Sequence, residues 1–315
     1  MSIMFDRRSF LKGAATCSLA ATGLLLEGID PLGILGEAFA AGPGKPLIAV
    51  AKDGSPEAIT RAAVLALGGM GKFINRGDSV IVKPNIGWDR TPEQAANTNP
   101  DVVKTVVKMC LEAGAKRVRV MDGPCNDPRR CYKRSGIQDA VESVGDSRAT
   151  IEHMDERKYI VMPIKNGRGL KSWTFYKDVL DGEKLINVPI AKHHNAARLT
   201  MSLKNIMGVL GGNRGNIHHD LDTNLADLNQ VFKFNLIVMD AVRVLTANGP
   251  QGGRLQDVRQ LNTVVAGTDP VAIDSFGATL FGITAKDVPH VVNAYKLGLG
   301  EMDLKKVNIK RINLG

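Results

Sequence analysis

The chain has 315 residues, of which 44% are hydrophobic and 23% charged, with 33 glycines and a net charge of +9. This composition excludes a disordered or low-complexity protein and supplies enough apolar residues for one large core or two small ones. The basic surplus favours anionic ligands, but no basic stretch is interleaved with aromatics, so nucleic acid is not an expected partner.

The first forty residues carry their own pattern. Asp6-Arg7-Arg8-Ser9-Phe10-Leu11-Lys12 is a twin-arginine signature, an apolar run of small residues extends from Gly13 to Leu26, and Ala38-Phe39-Ala40 offers a small-x-small cleavage site. We expect residues 1–41 to be a signal peptide for the twin-arginine export machinery, giving a periplasmic or otherwise exported protein. The apolar run is short and rich in Gly and Ala for a membrane span, so no stable span is expected after cleavage. An uncleaved anchor is the competing reading. Because this route carries folded proteins, it is also a pointer to a bound cofactor. Residues 1–40 hold three basic and four acidic residues, so the remainder carries +10.

From residue 42 onward, strands and helices alternate, and we expect one domain. A strand covers Leu47–Lys52, and a helix covers Pro56–Phe73, with Ser55 as its cap and Pro56 at its first position. Strand Asp78–Val82 runs into Lys83-Pro84-Asn85 and the loop Ile86–Thr98. A helix begins at Asn99-Pro100-Asp101, continues through Glu112 and is stopped by Gly114. Strand Arg117–Met121 ends in Asp122-Gly123-Pro124, a helix covers Tyr132–Val144, and Thr150–His153 is a short strand. Alternating pieces at Tyr159–Pro163 and Ser172–Tyr176 suggest a β-hairpin insert over about 158–183.

A strand bearing Leu185, Ile186, Val188 and Ile190 then delivers Lys192, His193, His194 and Asn195. The spacing of Leu199, Leu203, Ile206, Met207, Val209 and Leu210 predicts an amphipathic helix, with Thr200, Lys204 and Asn205 on its polar side. These polar groups either serve a site or are merely solvated. A Gly/Asn/Arg loop leads on to His218-His219-Asp220. Helix Asp222–Phe232 and strand Phe234–Met239, ending at Asp240, follow. Strand Asn262–Val265 ends in Gly267-Thr268-Asp269-Pro270; helices Val271–Leu280 and Lys286–Leu297 and strand Val307–Ile312 close the chain. The alternation implies an α/β fold: a mostly parallel sheet with helices on both faces and a small β-hairpin insert.

Open parallel sheets take ligands beyond the carboxyl ends of their strands. Five strands here deliver polar residues to that rim: Lys83, Asn85 and Trp88-Asp89-Arg90; Asp122 and Cys125; Lys192, His193 and His194; Asp240 and Arg243; Asp269 and Asp274. Loops are polar in any case, and Asn99 and Asp269 also suit helix caps. Lys83, Lys192, Lys204 and Arg214 form a cation set able to hold a carboxylate or phosphate. Crowding by other cations should lower the pKa of Lys192 and free an amine for proton transfer or covalent chemistry. His193 or His194 is the candidate general acid–base, and strand alternation lets only one of the two reach the site. We expect Lys192 and His193 to be catalytic, and Lys83, Asn85, Asp122, Lys204, Asn205, Arg214 and Asp240 to bind the ligand.

A metal ion is the alternative cofactor. His194, His218 and His219, with Asp220 or Asp222, are suitable ligand types, although their spacing matches no known motif and Asp220 or Asp222 fits a helix cap equally well. Cys17 lies in the expected signal, and Cys110 suits a core helix. Cys125 and Cys131 flank CNDPRRC and read first as a local disulfide, second as half a metal site. No CxxC cluster, no GxGxxG after a strand and no GxxxxGK[ST] occurs, so neither a self-contained iron–sulfur domain nor a standard nucleotide loop is expected.

VIVKPNIGW, NPDVVKTVVKMCLEAGAKRVRVMDGP, INVPIAKHHNAARLTMSLKNIMG, RGNIHHD and GTDPVAIDSFGATLFG, in that order, resemble the family called domain of unknown function 362, over nearly all of residues 46–315. Members often carry a ferredoxin-like domain and are described as iron–sulfur proteins; this chain lacks the cysteines for one. The resemblance also implies distant similarity to nickel-pincer lactate racemase, an α/β enzyme that uses lysine and histidines around a tethered nickel cofactor. Lys192, His193, His194 and His218 are compatible residue types for such chemistry. The leading expectation is a cofactor- or metal-assisted enzyme acting on a small anionic substrate. A metal or iron–sulfur redox partner and a non-catalytic binding protein for an anionic solute are the alternatives.

Overall fold

The computed structural model describes residues 45–180 and 184–315. The expected signal segment lies outside these residues. Among the described residues twelve strands are present: β1 (Leu47–Lys52), β2 (Ser79–Pro84), β3 (Arg117–Val120), β4 (Ala149–Ile151), β5 (Tyr159–Pro163), β6 (Ser172–Tyr176), β7 (Lys184–Val188), β8 (Ile190–His194), β9 (Arg198–Thr200), β10 (Leu236–Leu245), β11 (Val258–Gly267) and β12 (Asn308–Asn313).

The main sheet runs β12-β1-β11-β10-β7-β2-β3-β4, with β8 on β10 and β9 on β8. Along this path the pairs are parallel except where β11 lies antiparallel between β1 and β10. The carboxyl ends of β2, β3, β7 and β10 therefore share one rim, as a mostly parallel sheet requires. β5 and β6 pair antiparallel as the separate hairpin expected from the alternating pattern.

Both faces of the sheet are covered. Val80, Val82, Val118, Val120, Ile186 and Val238 point to one face, where they meet helices Pro56–Ala66, Pro100–Glu112 and Ile137–Glu142. Ile48, Val50, Ile237, Met239 and Val265 point to the other, against helices Pro270–Thr279 and Pro289–Lys296. This is the period-2 alternation of a sheet buried on both sides. Each such aliphatic side chain contributes roughly 1.5–3 kcal/mol on burial, so the covered sheet is rigid enough to carry a site on its edge.

Several expected elements are shorter or broken. The helix over 56–73 ends at Ala66, because Gly68 and Gly69 adopt φ of +109° and +81° and turn the chain into a separate helical turn at Met70–Lys72. The helix over 132–144 is two pieces, Pro128–Arg134 and Ile137–Glu142, divided at Gly136. Strands β10 and β11 are longer than their apolar cores, because they continue as an antiparallel pair past the end of the parallel sheet.

The largest correction concerns 199–210, where no continuous helix forms. Residues 198–200 pair with β8 as β9, then Ser202–Asn205 make one helical turn and Ile206–Val209 a 3-10 turn. The apolar spacing was real, but the segment lies inside the protein, and its polar groups face buried polar partners instead of solvent. Lys204 and Asn205 are buried, so the solvated reading fails.

Candidate active site

β2 and β7 are paired so that Lys83 stands beside Asn187. From there a buried polar chain runs across the rim. Lys83 Nζ lies 2.7 Å from Asp122 Oδ1 and donates to the Pro84 carbonyl at 2.7 Å and to Asn205 Oδ1 at 3.1 Å. Asn205 Oδ1 also accepts from Asn85 Nδ2 at 2.9 Å, and Asn85 Oδ1 accepts from Lys192 Nζ at 3.2 Å. Lys192 donates a second hydrogen bond, 2.5 Å, to the Ala96 carbonyl. Asn205 Nδ2 donates to Asn187 Oδ1 at 2.8 Å. The structure thus brings Lys83, Asn85, Asp122, Lys192 and Asn205 together, with Lys204 next to Asn205 on the same short turn.

An ammonium has three protons to donate. Lys83 has spent all three within the protein, so it is a structural partner of Asp122 rather than a ligand group. Lys192 has engaged two. Lys204 has engaged one, and that one goes to the Met207 thioether sulfur at 2.9 Å, a weak acceptor. Lys204 is nevertheless only 8% exposed and Lys192 only 1%. Burial, followed by repulsion from Arg214 and Lys83, brings the Lys204 amine down to about 8. Burial likewise brings Lys192 down to about 7, with Lys204 and Lys83 opposing its charge. Holding Lys192 as an ammonium there costs on the order of 5 kcal/mol relative to water, a sum that a bound anion would offset.

Lys204 owes its position to three distant residues. Asp274 accepts from Ser202 N at 2.8 Å and Leu203 N at 3.0 Å, and also from the Ser202 hydroxyl. Asn187 donates to the Ser202 carbonyl at 3.1 Å, and Asn229 to the Leu203 carbonyl at 2.9 Å. A single helical turn is unstable alone because nucleation costs more than one turn returns; these partners replace the bonds that a longer helix would supply. Burial raises the Asp274 carboxyl to about 6.

The Gly-Pro-Cys loop after β3 closes another side. Gly123 N donates to the Gly208 carbonyl at 2.8 Å, and a Cβ on Gly208 would stand 1.7 Å from Asp122 Oδ1, so only glycine fits. Arg214 donates to the Gly123 and Pro124 carbonyls, both at 2.8 Å. Its expected bidentate grip is thus on this loop, not on a free anion.

Of the paired histidines, His194 rather than His193 accompanies Lys192, since residues two apart on β8 share a face. His193 Nδ1 accepts from Gly249 N at 3.1 Å, on another loop, which removes it from the expected catalytic role. His194 Nδ1 accepts from both Ala196 N and Ala197 N at 3.1 Å, leaving Nε2 as the protonated nitrogen. Burial and then the charges of Lys204, Lys192 and His218 drive its pKa down to about 2. At ordinary pH it is a neutral donor, not an acid–base group.

Asp240 does not reach the ligand side either. Its oxygens hold Asn99 N at 2.8 Å and Val242 N at 2.9 Å, so it ties the Pro100–Glu112 helix to β10. Asn99 and Asp269 act as the helix caps they resembled.

The expected His194, His218, His219 metal set is not assembled. His218 and His219 are both exposed whereas His194 is buried, and among the described residues no three His, Cys, Asp or Glu are grouped to hold a metal ion. Cys110, Cys125 and Cys131 are free thiols, Cys131 buried and Cys125 exposed, so the expected local disulfide is not formed. Among the described residues, no helix is long and apolar enough to cross a membrane. Sequence reasoning missed Asn187, Asn229 and the role of Asp274. Only Asp274 had left a signal, as a second carboxylate one turn into the helix after β11.

A thylakoid-associated protein of Synechocystis sp. is 25% identical over 260 residues, 78% of this chain and 76% of that protein. Among solved structures, a protein from Thermotoga maritima aligns over 73% of this chain and 60% of its own, with 11% identity and a TM-score of 0.44. The lactate racemase apoprotein of Thermoanaerobacterium thermosaccharolyticum aligns over 79% and 56%, with 12% identity and a TM-score of 0.37. The chain thus spans a little over half of each of these two structures. The model of the family described as domain of unknown function (DUF362) matches residues 80–279. That stretch runs from β2 through the helix bearing Asp274 and contains every residue of the buried polar chain, and the protein belongs to the DUF362 family.

Proposed function

We propose that this protein is an enzyme that binds a small anion between Lys204 and Lys192 and uses the Lys192 amine to move a proton. The observation that carries this reading is the unequal engagement of the lysines. Lys83 is neutralised by Asp122, while Lys204 and Lys192 are buried and, among the described residues, retain undonated protons and have no carboxylate of their own. Two buried ammonium groups with undonated protons fit an anion with two or three acceptor oxygens. An amine brought down to about 7 is divided between its two forms near neutrality, which suits proton transfer. The neutral His194, with Nε2 as its donor, would orient an oxygen without adding charge. The Asp6–Lys12 stretch supports export of the folded protein as part of the same reading.

Two measurements test it. Malonate and inorganic phosphate are titrated calorimetrically into wild type and Lys204→Met; affinity should fall at least about tenfold in the variant. Small carboxylates with an acidic C–H are then incubated with the protein in D2O, and loss of the C–H proton signal is followed by NMR. Exchange should occur with wild type and vanish in Lys192→Met. Equal binding by Lys204→Met overturns the anion site, and exchange that survives Lys192→Met overturns the role of Lys192.

A further inference from the structure

Five threonines are buried among the described residues, and four of them spend their hydroxyl on a backbone carbonyl: Thr60 on Pro56, Thr98 on Val188, Thr105 on Asp101 and Thr263 on Leu261. Thr200 is the exception. It is only 3% exposed, yet among the described residues its Oγ1 has no hydrogen-bond partner. A buried polar group left unpaired destabilises the fold, so this hydroxyl points to a partner from outside the chain. Its place in the sheet says where. β8 and β9 pair antiparallel, with Thr200 directly opposite Lys192 and Arg198 opposite His194. Opposite residues point to one face with Cβ atoms roughly 4.5–5.5 Å apart, and residues two apart on a strand share a face. Lys192, His194 and Thr200 therefore stand on the same face of this hairpin. His194 Nδ1 accepts from Ala196 N and Ala197 N, so the ring is neutral and Nε2 carries a proton for which the described residues supply no acceptor. Beside the Lys192 amine, then, lie two buried, uncharged donors that the protein itself does not use.

We propose that Thr200 and His194 form an oxyanion hole, and that the substrate is a 2-oxo acid, a carboxylate with a carbonyl group beside the carbon that gives up its proton. Taking a proton from next to a carbonyl leaves the negative charge on the carbonyl oxygen, and fixed neutral donors at that oxygen lower the barrier to the step. The neutral amine of Lys192 accepts the proton. The C–H bonding pair becomes the C–C double bond of the enolate, and the carbonyl π pair moves onto oxygen. That oxygen accepts from the Thr200 hydroxyl and from His194 Nε2–H. Return of a proton from the Lys192 ammonium reverses the step. No electrons are gained or lost overall, so no oxidant, reductant or co-reactant is needed. This inference rests on the anion site and the proton transfer proposed above; it adds the substrate class and a catalytic role for Thr200.

The test replaces Thr200 by valine, which keeps the shape of the side chain and removes only the hydroxyl. His194 is left intact because its Nδ1 also holds the turn at Ala196 and Ala197. Pyruvate is incubated with the full-length protein in D2O, and loss of its methyl proton signal is followed by NMR over a range of pyruvate concentrations. Loss of one oxyanion donor should lower the maximal exchange rate about a hundredfold. KM should change little, since that bond strengthens only in the transition state. Thr200→Ser, which restores the hydroxyl, should recover most of the rate, and Thr200→Val should bind malonate as wild type does. Its urea midpoint should not fall, because no bond within the protein is lost. A Thr200→Val protein that exchanges at the wild-type rate, or whose urea midpoint drops, overturns the proposal, for the hydroxyl then serves solvent or the fold. A pyruvate adduct trapped on Lys192 by borohydride also overturns it, since the amine would then bond to the carbonyl carbon rather than take the neighbouring proton. Wild type that binds malonate but exchanges no pyruvate refutes this inference alone, whereas no malonate binding by wild type refutes the anion site.

Discussion

The Lys83–Asp122 pair offers the most direct test of the buried polar chain. Both side chains are almost fully buried and their charged atoms are 2.7 Å apart. Lys83→Met removes the ammonium and keeps its length, leaving Asp122 with Ile86 N at 2.6 Å and Gly123 N at 2.9 Å as donors. Asp122→Asn removes the charge and keeps an acceptor. Breaking one side of a buried pair costs about 3–5 kcal/mol because the other charge is left uncompensated. Removing both sides leaves no orphan, so the double variant should be no worse than the poorer single one, with a coupling at least as large as the milder single loss, about 3 kcal/mol or more. Urea unfolding of wild type, both singles and the double, at constant pH and salt, measures this directly. Additive losses, with coupling under about 0.5 kcal/mol, would refute the view that Lys83 is committed to Asp122, and would return Lys83 to the ligand-binding set.

Three further outcomes are expected. The amines of Lys192 and Lys204 are lowered to about 7 and about 8, below the ~10.4 of an unfolded lysine. The unfolded chain therefore binds more protons between those values, and stability should rise with pH from about 7 to 10; thermal melts should show a smaller rise in Lys192→Met, and an equal rise would contradict the burial of that amine. Asp274→Ala deprives two buried backbone N–H groups of their acceptor and should cost about 2–4 kcal/mol in urea unfolding, with weaker malonate binding; a loss under about 0.5 kcal/mol would show that the turn at Ser202 holds itself. Replacing Arg7 and Arg8 together by lysine should leave the protein in the cytoplasm on cell fractionation, and undiminished export would dismiss the twin-arginine reading.

The layered α/β arrangement was legible because its signals are local. Apolar runs such as VIV at 80–82 and LIVM at 236–239 read as strands wherever they sit, and Ser55, Asn99 and Asp269 announce helix starts by their chemistry. Most of the rim was legible for the same reason, since strand ends can be counted without coordinates, but β11 runs antiparallel and carries Asp269 to the opposite end of the sheet, which no strand count reveals. What escaped was how each rim residue spends its hydrogen bonds. Nothing near Lys83 in sequence says that all its protons are taken, because two of the three acceptors lie 39 and 122 residues away. Nothing near Lys204 says that its protons are left over. The helix expected over 199–210 failed for a related reason: its polar residues are buried against partners distant in sequence, so their spacing did not mark a solvent face.

The turn that carries Lys204 has a consequence for how this scaffold adapts. Its backbone is gripped by a carboxylate from one helix, an amide from a second and an amide from the sheet, and none of these grips involves the lysine side chain. Geometry and reactivity are therefore specified by separate residues. A different side chain at 204 would be presented from an unchanged platform, so relatives can exchange the group offered to a ligand without rebuilding what holds it.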